Sequence, residues 1–348
     1  MNILIDTSPL HNGHAGRGIG RYTFELLKAL RAVPSSHQFF TSDDAPSHVD
    51  LIHYPFFDLF FPTLPQQKKA PTIVTIHDVI PLVFPVHYKA GVKGTISLYR
   101  QKLALRSVAE VITDSECSKR DIVLKLGVRS DHVHAIPLAI GDDFIRPPQA
   151  FLYDVKKKYG LPKHFLLYVG DINYNKNLPF LLSVVAKIPT LHLVMVGRAM
   201  NNTVIPEGKA IHDTISQFDL SSRVTLLDSV DGEHELEAIL SLADAYIQPS
   251  LYEGFGLPVL EAMRMRTPVI CSRGGSLPEV AGDAAVYFHP HDQSECERVI
   301  REVLRMSEEE RSRMVRKGVA QVEKFSWATT AKQTISVYEK VFEQRRKR

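Results

Sequence analysis

The sequence predicts an α/β protein of two Rossmann-like domains, each built on a doubly wound parallel sheet. Three observations indicate this fold. The chain has 348 residues, which is longer than a single hydrophobic core usually grows. Short apolar runs alternate with segments of helical period, as in parallel sheets with crossover helices. The alternation restarts after Pro147-Pro148, where neither a helix nor a strand is expected to continue.

The first half contains six strand-like runs separated in part by helical segments. The strand-like runs are NILID, HQFFTS, DLIHY, TIVTIHD, EVITDSE and HVHAIPLAI, and the helical segments include TFELLKALRAV and TISLYRQKLALRSVA. A further helix is expected between Ser115, a capping residue type, and Gly127, which suits a left-handed C-terminal position. These elements predict a first domain at 1–147.

The second half repeats the same alternation and predicts a second domain at 148–325. Its strand-like runs are FLLYVGD, LHLVMVGR, RVTLLDSV, DAYIQPS, TPVICS and AAVYFHP, with helical segments such as PFLLSVVAK and HELEAILSLA between them. The remaining segment, 326–348, has the pattern of an amphipathic helix. The sequence leaves open whether this helix returns to the first domain.

Composition excludes several classes of protein. The chain is 44% hydrophobic and 23% charged, as expected for a folded globular protein, and its net charge of +3 argues against a nucleic-acid-binding surface. No apolar run approaches 18 residues, and no signal-like segment opens the chain, so a cytoplasmic location is expected. The three cysteines lack metal-ligand spacing and are expected to be reduced, structural thiols.

The segment PSLYEGFGLPVLEAM, residues 249–263, is the most informative in the chain. Gly254 and Gly256 permit a tight turn and close approach of a ligand, and Pro258 suits the start of a helix. Backbone N–H groups at a helix start attract anions such as a diphosphate. Ligands of open α/β sheets bind beyond the carboxyl ends of the strands, so this anion site is expected in a central cleft that both domains face.

Two carboxylates flank this turn. Glu253 precedes it and Glu261 lies about one helical turn inside the helix, so the two are expected to reach different parts of one bound molecule. Taken singly, each has an ordinary explanation, since Glu253 could be solvated and Glu261 could favour the helix start.

The pattern E-G-F-G-L-P-x-x-E, followed by TPVICSRGGSLPEVAGDAA, resembles the second domain of the retaining nucleotide-sugar glycosyltransferases of the GT-B fold, the large family 4 group. The resemblance extends to the early glycine loop, the His-Asp pair after TIVTI and the segment VGDINYNKNL. It implies that the first domain binds the acceptor and the second binds a nucleotide sugar. It also implies transfer of a hexose with retention of anomeric configuration.

The resemblance assigns roles to the two-carboxylate segment. It implies that Glu253 lies near the donor sugar and that Glu261 holds the ribose hydroxyls. The turn between them is implied to approach the sugar and the phosphates. The turn residues assigned to the donor site are Gly254, Phe255, Gly256 and Leu257.

A departing diphosphate develops negative charge, and Lys176 in GDINYNKNL is the candidate cation for it. The family pattern has a basic residue here, although an exposed loop lysine is the ordinary alternative. Many relatives also have an arginine after the glycine that matches Gly170, where this chain has Asp171. Arg198 and Arg17 are the candidates to replace that arginine.

His77-Asp78 ends the strand-like run TIVTIHD and is expected at the carboxyl edge of the first sheet. A structural histidine is the ordinary alternative. The resemblance implies that His77 helps to position the donor sugar and that Asp78 orients the acceptor or a loop. It also implies that the leaving phosphate acts as the base. We therefore take Glu253, His77 and Asp78 as catalytic candidates and expect no metal or other cofactor.

The run YPFFDLFF at 54–61 has two explanations. It either packs beneath a loop, or it meets a lipid-linked acceptor at the inner face of the plasma membrane, which would make the protein a peripheral membrane protein.

The GRGIGRYT form of the early loop resembles bacterial O-antigen and exopolysaccharide mannosyltransferases. It implies GDP-mannose as donor and a lipid-linked saccharide as acceptor, with UDP-glucose or GDP-rhamnose as alternative donors. Two other classes stay open. A glycosidase also uses two carboxylates, and a non-catalytic module would bind the nucleotide sugar without transferring it.

The early loop, GHAGRGIGRYT at 13–23, does not fit a dinucleotide-binding fingerprint. Gly16, Gly18 and Gly20 are spaced G-x-G-x-G, and the loop begins far beyond Asp6. The loop opens a helix, so we predict a lid whose amides, above all that of Gly18, close over the phosphates of the donor.

Overall fold

The computed structural model describes residues 1–13, 18–230, 232 and 234–346. The chain divides into two compact units. Unit 1 comprises Met1–Gly141 together with the segment from Phe325 onward, and unit 2 comprises Asp142–Lys324. Each unit contains one six-stranded parallel sheet with helices, so the predicted fold class is confirmed.

The sheet of unit 1 has the strand order β2-β1-β3-β4-β5-β6, and all its pairs are parallel. Every strand falls within one of the predicted runs. The central strands are buried along their whole length because helices cover both faces of a parallel sheet. The strands are β1 (Asn2–Ile5), β2 (Gln38–Phe40), β3 (Leu51–Tyr54), β4 (Thr72–Thr75), β5 (Glu110–Thr113) and β6 (Val133–Ala135).

Four α-helices in the described part of unit 1 precede unit 2 in the chain. They are α1 (Gly18–Ala32), α2 (Ile80–Val83), α3 (Gly91–Leu105) and α4 (Glu116–Asp121). Ser115 caps α4 by accepting a hydrogen bond from the Ser118 amide at 3.0 Å. A π-helical turn, Ile122–Leu126, continues α4 and ends at Gly127 with a φ of 74°. Both predicted helix ends are therefore confirmed.

The sheet of unit 2 has the strand order β12-β11-β10-β7-β8-β9. The first strand of the unit, β7, lies beside the fourth, β10, so the direction of the strand order reverses between them. This point is the topological switch point at which doubly wound sheets bind ligands. The strands are β7 (Leu166–Val169), β8 (Leu193–Val196), β9 (Val224–Leu227), β10 (Ala245–Gln248), β11 (Val269–Ser272) and β12 (Ala285–Phe288).

Within the residues that the structure describes, eight α-helices pack around this second sheet. They are α5 (Gln149–Lys158), α6 (Leu178–Ala186), α7 (Pro206–Gln217), α8 (Glu235–Leu242), α9 (Leu257–Arg264), α10 (Leu277–Ala281), α11 (Gln293–Leu304) and α12 (Glu308–Val322). Short 3₁₀ turns occur at Ser8–Leu10, Ser130–His132 and Tyr174–Lys176.

The last helix, α13 (Trp327–Arg346), follows unit 2 in sequence but packs on α1 in unit 1. Its Tyr338 is fully buried, and the hydroxyl lies 2.7 Å from Nδ1 of His53 in β3. The helix therefore completes the core of unit 1. None of the helices in the described residues has the length and hydropathy needed to cross a bilayer.

The three cysteines are buried free thiols. Burial raises the pKa of Cys296 to about 12, and it also raises the pKa of Cys271. Thiols that stay protonated at neutral pH are poor nucleophiles and poor metal ligands.

Candidate active site

The loops that follow β7 and β10 lie side by side, because these two strands are neighbours in the sheet of unit 2. Both loops begin at the carboxyl ends of their strands, at the switch point. The first loop carries Lys176 in a 3₁₀ turn, and the second carries Glu253. Strand order thus brings together two candidates that are 77 residues apart in the sequence.

Lys176 and Glu253 form an ion pair. The Lys176 Nζ lies 2.8 Å from Oε1 and 2.9 Å from Oε2 of Glu253, so the ammonium contacts both carboxylate oxygens. The Lys176 side chain is 19% exposed, and that of Glu253 is 8% exposed. The pair is shielded from bulk solvent, which strengthens its electrostatic attraction.

Two further side chains hold the Glu253 carboxylate. Ser250 donates its hydroxyl to Oε1 at 2.6 Å, and Gln248 donates from Nε2 to the same oxygen at 2.8 Å. Tyr246 in turn donates its hydroxyl to the Gln248 amide oxygen. The sequence did not suggest Gln248 or Ser250, although a buried glutamine at the end of an apolar strand is a signal that could have found the former.

Hydrogen bonds to main-chain groups hold the two loops against each other. Asn175 donates from Nδ2 to the Tyr252 carbonyl at 2.9 Å, and its own carbonyl accepts the Leu251 amide at 2.7 Å. Asn177 adopts a left-handed φ of 60° and donates to the Pro249 carbonyl at 3.2 Å. The position of Lys176 relative to Glu253 is therefore set by hydrogen bonds that Asn175 and Asn177, the residues on either side of it, make to main-chain groups of the second loop.

The loop after β11 packs against the turn that follows Glu253 and forms hydrogen bonds with it. Ser276 donates its hydroxyl to the carbonyls of Glu253 at 3.0 Å and Phe255 at 2.8 Å. Gly275 has a φ of +63°, and a Cβ at this position would lie 2.3 Å from the Glu253 carbonyl oxygen. A side chain at Gly275 would therefore displace the backbone of Glu253.

The turn after Glu253 leads directly into α9. Gly256 precedes the helix with a φ of +100°, a conformation that favours glycine, and Pro258 is the second helical residue. The side chain of Phe255 is buried, while Gly256 and Leu257 are half-buried. No side chain of the described residues caps the start of α9 at Gly256, so its first amides are suited to an anion.

Glu261 is buried in α9, one turn inside the helix. Burial, followed by neighbouring groups that include Glu253 and Glu261, raises the pKa of the Tyr246 hydroxyl well above its usual range. Both carboxylates therefore lie close enough to this buried hydroxyl to contribute to its raised pKa.

The other residues predicted to contact the donor lie outside the Lys176–Glu253 pair and the turn that begins α9. Arg198 is exposed just after β8, the neighbouring strand to β7. Asp171 is exposed too, and its carbonyl accepts the Tyr168 hydroxyl at 2.7 Å. Gly18 is the first residue of α1 in unit 1, and a Cβ there would meet no atom within 4 Å. Gly16 and Arg17 of the early loop lie outside the described residues.

In unit 1, His77 follows β4 and Asp114 follows β5, the adjacent strand. His77 Nδ1 lies 2.8 Å from Asp114 Oδ2, and the imidazole donates because an ionised carboxylate only accepts. Burial alone would lower the pKa of His77, but the charge and hydrogen bond of Asp114 raise it above its ordinary value. The rule that identified His77, a polar residue at a strand end, also applies to Asp114 and could have found it.

His77 Nε2 and Asp114 Oδ1 are buried without a hydrogen-bond partner among the described residues. Buried polar atoms in native proteins are normally paired with protein groups or ordered water. The Pro55 backbone lies close enough to the imidazole to help raise the pKa of His77. The imidazole ring also packs edge-on against Tyr22, with 4.7 Å between ring centroids. Asp78 accepts the Ile80 amide at 2.9 Å and so holds the start of α2.

The aromatic run 54–61 divides between core and surface. Phe57 and Leu59 are buried in a hydrophobic cluster that includes Val74, Leu105 and Val111, so these two residues belong to the core. Phe60 packs against that cluster, whereas Phe61 is 69% exposed.

In the described part of the chain, no group of three His, Cys, Asp or Glu side chains is placed to hold a metal ion.

Two family models match the chain. The model described as "Glycosyl transferases group 1" matches residues 154–321, which contain Lys176, Glu253 and Glu261. The model described as "Glycosyl transferase 4-like domain" matches residues 9–139, which contain His77 and Asp78.

Relatives of the chain include two mannosyltransferases of Escherichia coli. The serotype-specific mannosyltransferase WbdA is 31% identical over 75% of this chain and 32% of its own length. The O-antigen chain mannosyltransferase B is 28% identical over 90% of this chain and 80% of its own length. The chain thus spans about a third of WbdA and most of the second relative.

Among solved structures, Anabaena HepE in complex with UDP-glucose superposes with a TM-score of 0.75. The two chains are 16% identical, and the match covers 99% of this chain and 100% of HepE.

Proposed function

Because the chain belongs to the glycosyl transferases group 1 family and carries a glycosyl transferase 4-like domain ahead of that region, we propose that it transfers a hexose from a nucleoside diphosphate sugar to a saccharide acceptor, with retention of anomeric configuration. The observation that carries this proposal is the Lys176–Glu253 pair, which lies at the switch point of a parallel sheet beside the start of α9.

In this proposal the donor diphosphate binds at the amides that begin α9, next to Lys176. The bond between the anomeric carbon and the diphosphate oxygen breaks, and Lys176 neutralises the charge that develops on the departing phosphate. Glu261 accepts hydrogen bonds from the ribose hydroxyls. Glu253 faces the sugar, where its carboxylate orients hydroxyls and stabilises positive charge on the ring.

The acceptor hydroxyl forms the new bond on the face that the diphosphate leaves, and its proton passes to the departing phosphate oxygen. Nothing in this step requires a protein base. His77 instead helps to position the donor sugar. Asp78 keeps the neighbouring loop in place. We propose that the reaction needs no metal, so excess EDTA should leave its rate unchanged.

GDP-mannose is the proposed donor, because both relatives described above are named mannosyltransferases. A lipid-linked saccharide of a bacterial surface polysaccharide is the proposed acceptor, since one relative is named for the O-antigen chain. UDP-glucose is the second candidate donor, because HepE binds it on the same fold. GDP-rhamnose completes the set to be tested.

A panel of nucleotide sugars tests the donor. A donor that binds the folded chain stabilises it by RT ln(1 + [L]/Kd), about 2.7 kcal/mol at a concentration a hundred times Kd. We expect GDP-mannose to raise the melting temperature most, and to release GDP when a lipid-linked acceptor is added. A shift with UDP-glucose alone would reassign the donor, and no shift with any nucleotide sugar would overturn the proposal.

Assays of the same protein distinguish the transferase from a glycosidase and from a non-catalytic nucleotide-sugar-binding module. A glycosidase would hydrolyse an aryl mannoside or glucoside without any nucleotide. A non-catalytic module would bind GDP-mannose but release no GDP with any acceptor. In that case Glu253→Gln would alter the Kd and nothing else, whereas the transferase proposal expects the same variant to lose turnover while still binding the donor.

A further inference from the structure

Helix α3 has apolar side chains on two opposite faces. Its inner face carries the buried residues Ala104 and Leu105. Its outer face carries Val92, Ile96 and Tyr99, which are 79%, 52% and 65% exposed. Their spacing of four and then three residues places them in one stripe along the helix. A surface helix normally has a polar outer face, so packing within unit 1 does not explain this stripe.

Cations border the stripe on both sides. At 100° per residue, Lys93 and Arg100 project along one side of it, and Lys102 and Arg106 project along the other. Three of these four side chains are exposed, and Lys102 is half-buried. Apolar side chains flanked by long basic ones are the arrangement of a helix that lies in a membrane interface.

Basic residues outnumber acidic ones in the sequence around α3. Residues 58–110 contain three acidic residues, Asp58, Asp78 and Glu110, and seven basic ones. Within the described residues, none of the seven forms an ion pair. These cations are therefore not neutralised by the protein itself. The seven are Lys68, Lys69, Lys89, Lys93, Arg100, Lys102 and Arg106.

Further apolar groups lie next to the stripe. Phe60 packs against α3, because a Cβ built on Gly94 would lie 3.5 Å from the Phe60 Cβ. The neighbouring Phe61 is therefore beside the helix, and it is 69% exposed. Val86, in the segment that leads into α3, is 73% exposed.

We propose that the outer face of α3, together with Phe61, docks on an anionic phospholipid bilayer. The stripe Val92–Ile96–Tyr99 enters the headgroup region, and the flanking cations contact lipid phosphates. A bilayer fits this face better than a protein does, because lysine is depleted in protein interfaces and the four cations beside the stripe would need an acidic partner. The inference is independent of the proposed transfer reaction, since it concerns binding to lipid alone.

Flotation with vesicles tests the proposal. We expect the wild-type chain to float with phosphatidylcholine vesicles that contain about one third phosphatidylglycerol, and not with pure phosphatidylcholine vesicles. The variant Ile96→Asn/Tyr99→Asn should bind at least about tenfold more weakly, because it removes apolar contact. The variant Lys93→Ala/Arg100→Ala should lose about 25-fold, since each cation near an anionic surface contributes about fivefold.

Matched variants in unit 2 control for general changes in polarity and charge. Tyr153→Asn/Val204→Asn replaces side chains that are 68% and 91% exposed, and Lys157→Ala/Lys163→Ala removes two exposed cations. Both should float like the wild type. All four altered pairs are at exposed positions, so their melting temperatures and their GDP-mannose shifts should match those of the wild type.

Three results would overturn the proposal. The first is failure of the wild-type chain to bind phosphatidylglycerol vesicles. The second is unchanged binding by the α3 variants, or an equal loss in the unit 2 controls. The third is a wild-type dimer, seen by light scattering, that Ile96→Asn/Tyr99→Asn converts to a monomer, which would assign the stripe to a second copy of the chain. None of these results depends on the transfer reaction.

Discussion

Glu253 is the residue on which the site converges. Its side chain is 8% exposed, and its carboxylate contacts Lys176, Gln248 and Ser250. Burying a carboxylate is unfavourable unless it is paired and hydrogen-bonded, and these three donors supply that compensation. Lys176 therefore neutralises Glu253 in the free protein and, by our proposal, the diphosphate when the donor binds.

Lys176→Met is expected to lower kcat/KM by about 10²- to 10³-fold, the usual effect of removing one donor that stabilises transition-state charge. It should also destabilise the fold, because it leaves Glu253 buried without a counter-ion. The double variant Lys176→Met/Glu253→Gln separates the two effects. Its free energy of unfolding should recover toward that of the wild type, while its turnover should stay low.

Lys158→Met is the matched control for this experiment. Lys158 contacts both oxygens of Glu235, at 2.7 and 2.9 Å, so it repeats the geometry of the site pair elsewhere in unit 2. Its removal should leave kcat/KM within about twofold, because the Lys158 pair is not part of the proposed donor site. Equal losses in the Lys158 and Lys176 variants would contradict the assigned role of Lys176.

Because His53 is buried, we expect the stability of unit 1 to depend on pH. Burial, and then the charge of His77, lowers the pKa of His53 to about 3. Its unfolded value is about 6.5, so between pH 6.5 and 3 the unfolded chain binds a proton that the folded chain does not. Stability is therefore expected to fall as the pH decreases through this window, by up to about 1.4 kcal/mol per pH unit from this one group.

The variant His53→Gln tests this expectation, because glutamine keeps hydrogen-bonding groups but does not titrate. Urea unfolding at several pH values between 6.5 and 4 should give a shallower decline in the free energy of unfolding for the variant than for the wild type. Parallel declines would show that His53 does not control the acid response.

At the scale of elements, the contact between the loop after β11 and the loop after β10 leaves no room for a side chain at Gly275. Gly275→Ala would force a side chain into a left-handed backbone and against the Glu253 carbonyl oxygen, 2.3 Å away. We expect a loss of about 3 kcal/mol or more in stability and a large loss of turnover, because the carboxylate moves with its backbone.

Gly160→Ala provides the comparison. Gly160 has a φ of +60°, but a Cβ there would meet no atom within 4 Å. This variant carries backbone strain alone and should cost about 1–2 kcal/mol, with turnover retained. Urea unfolding and turnover of the two variants separate strain from collision. If Gly275→Ala behaves like Gly160→Ala, the β11 loop does not position Glu253.

The elements were largely predictable because their ends carry the strongest local signals. The apolar runs stop at polar residues or glycine, and Ser115 and Gly127 delimit a helix by their own conformational preferences. The contacts between elements were not predictable in the same way. Gln248 and Ser250 were not suggested, and the pairing of Lys176 with Glu253 depends on the order of strands in the sheet, which the apolar pattern does not encode.

The same limit applies in unit 1. His53 was placed correctly in a strand-like run, but its partner Tyr338 is 285 residues away on the last helix. His77 and Asp114 each end a strand, and their contact requires β4 and β5 to be neighbours. Local pattern therefore identified the polar residues at strand ends, whereas the tertiary fold determines which of them meet.

At the scale of the whole molecule, α13 is the last element of the described chain, yet it belongs to unit 1, the unit that begins the chain. Deleting residues 327–346 would uncover apolar core that α13 now buries against α1 and would remove the Tyr338 partner of His53. We expect the amides of β3 and β4 to lose most of their protection from hydrogen exchange, while those of β7 and β10 keep theirs.

Lys332→Ala controls for the deletion, because Lys332 is an exposed residue of α13 and its removal leaves the helix in place. Its exchange protection should match that of the wild type in both sheets. Loss of protection in β7 and β10 after the deletion would show that the two units do not keep their structure separately.

The return of α13 to unit 1 also affects how the chain folds during synthesis. All of unit 2 leaves the ribosome after the sheet of unit 1 and before α13, which at ordinary translation rates is a delay on the order of 10 to 40 s. Unit 2 has its complete sequence before unit 1 does. During that interval the surface of α1 that α13 later covers lacks its partner, so we expect unit 1 to complete its packing only after unit 2 has been synthesised.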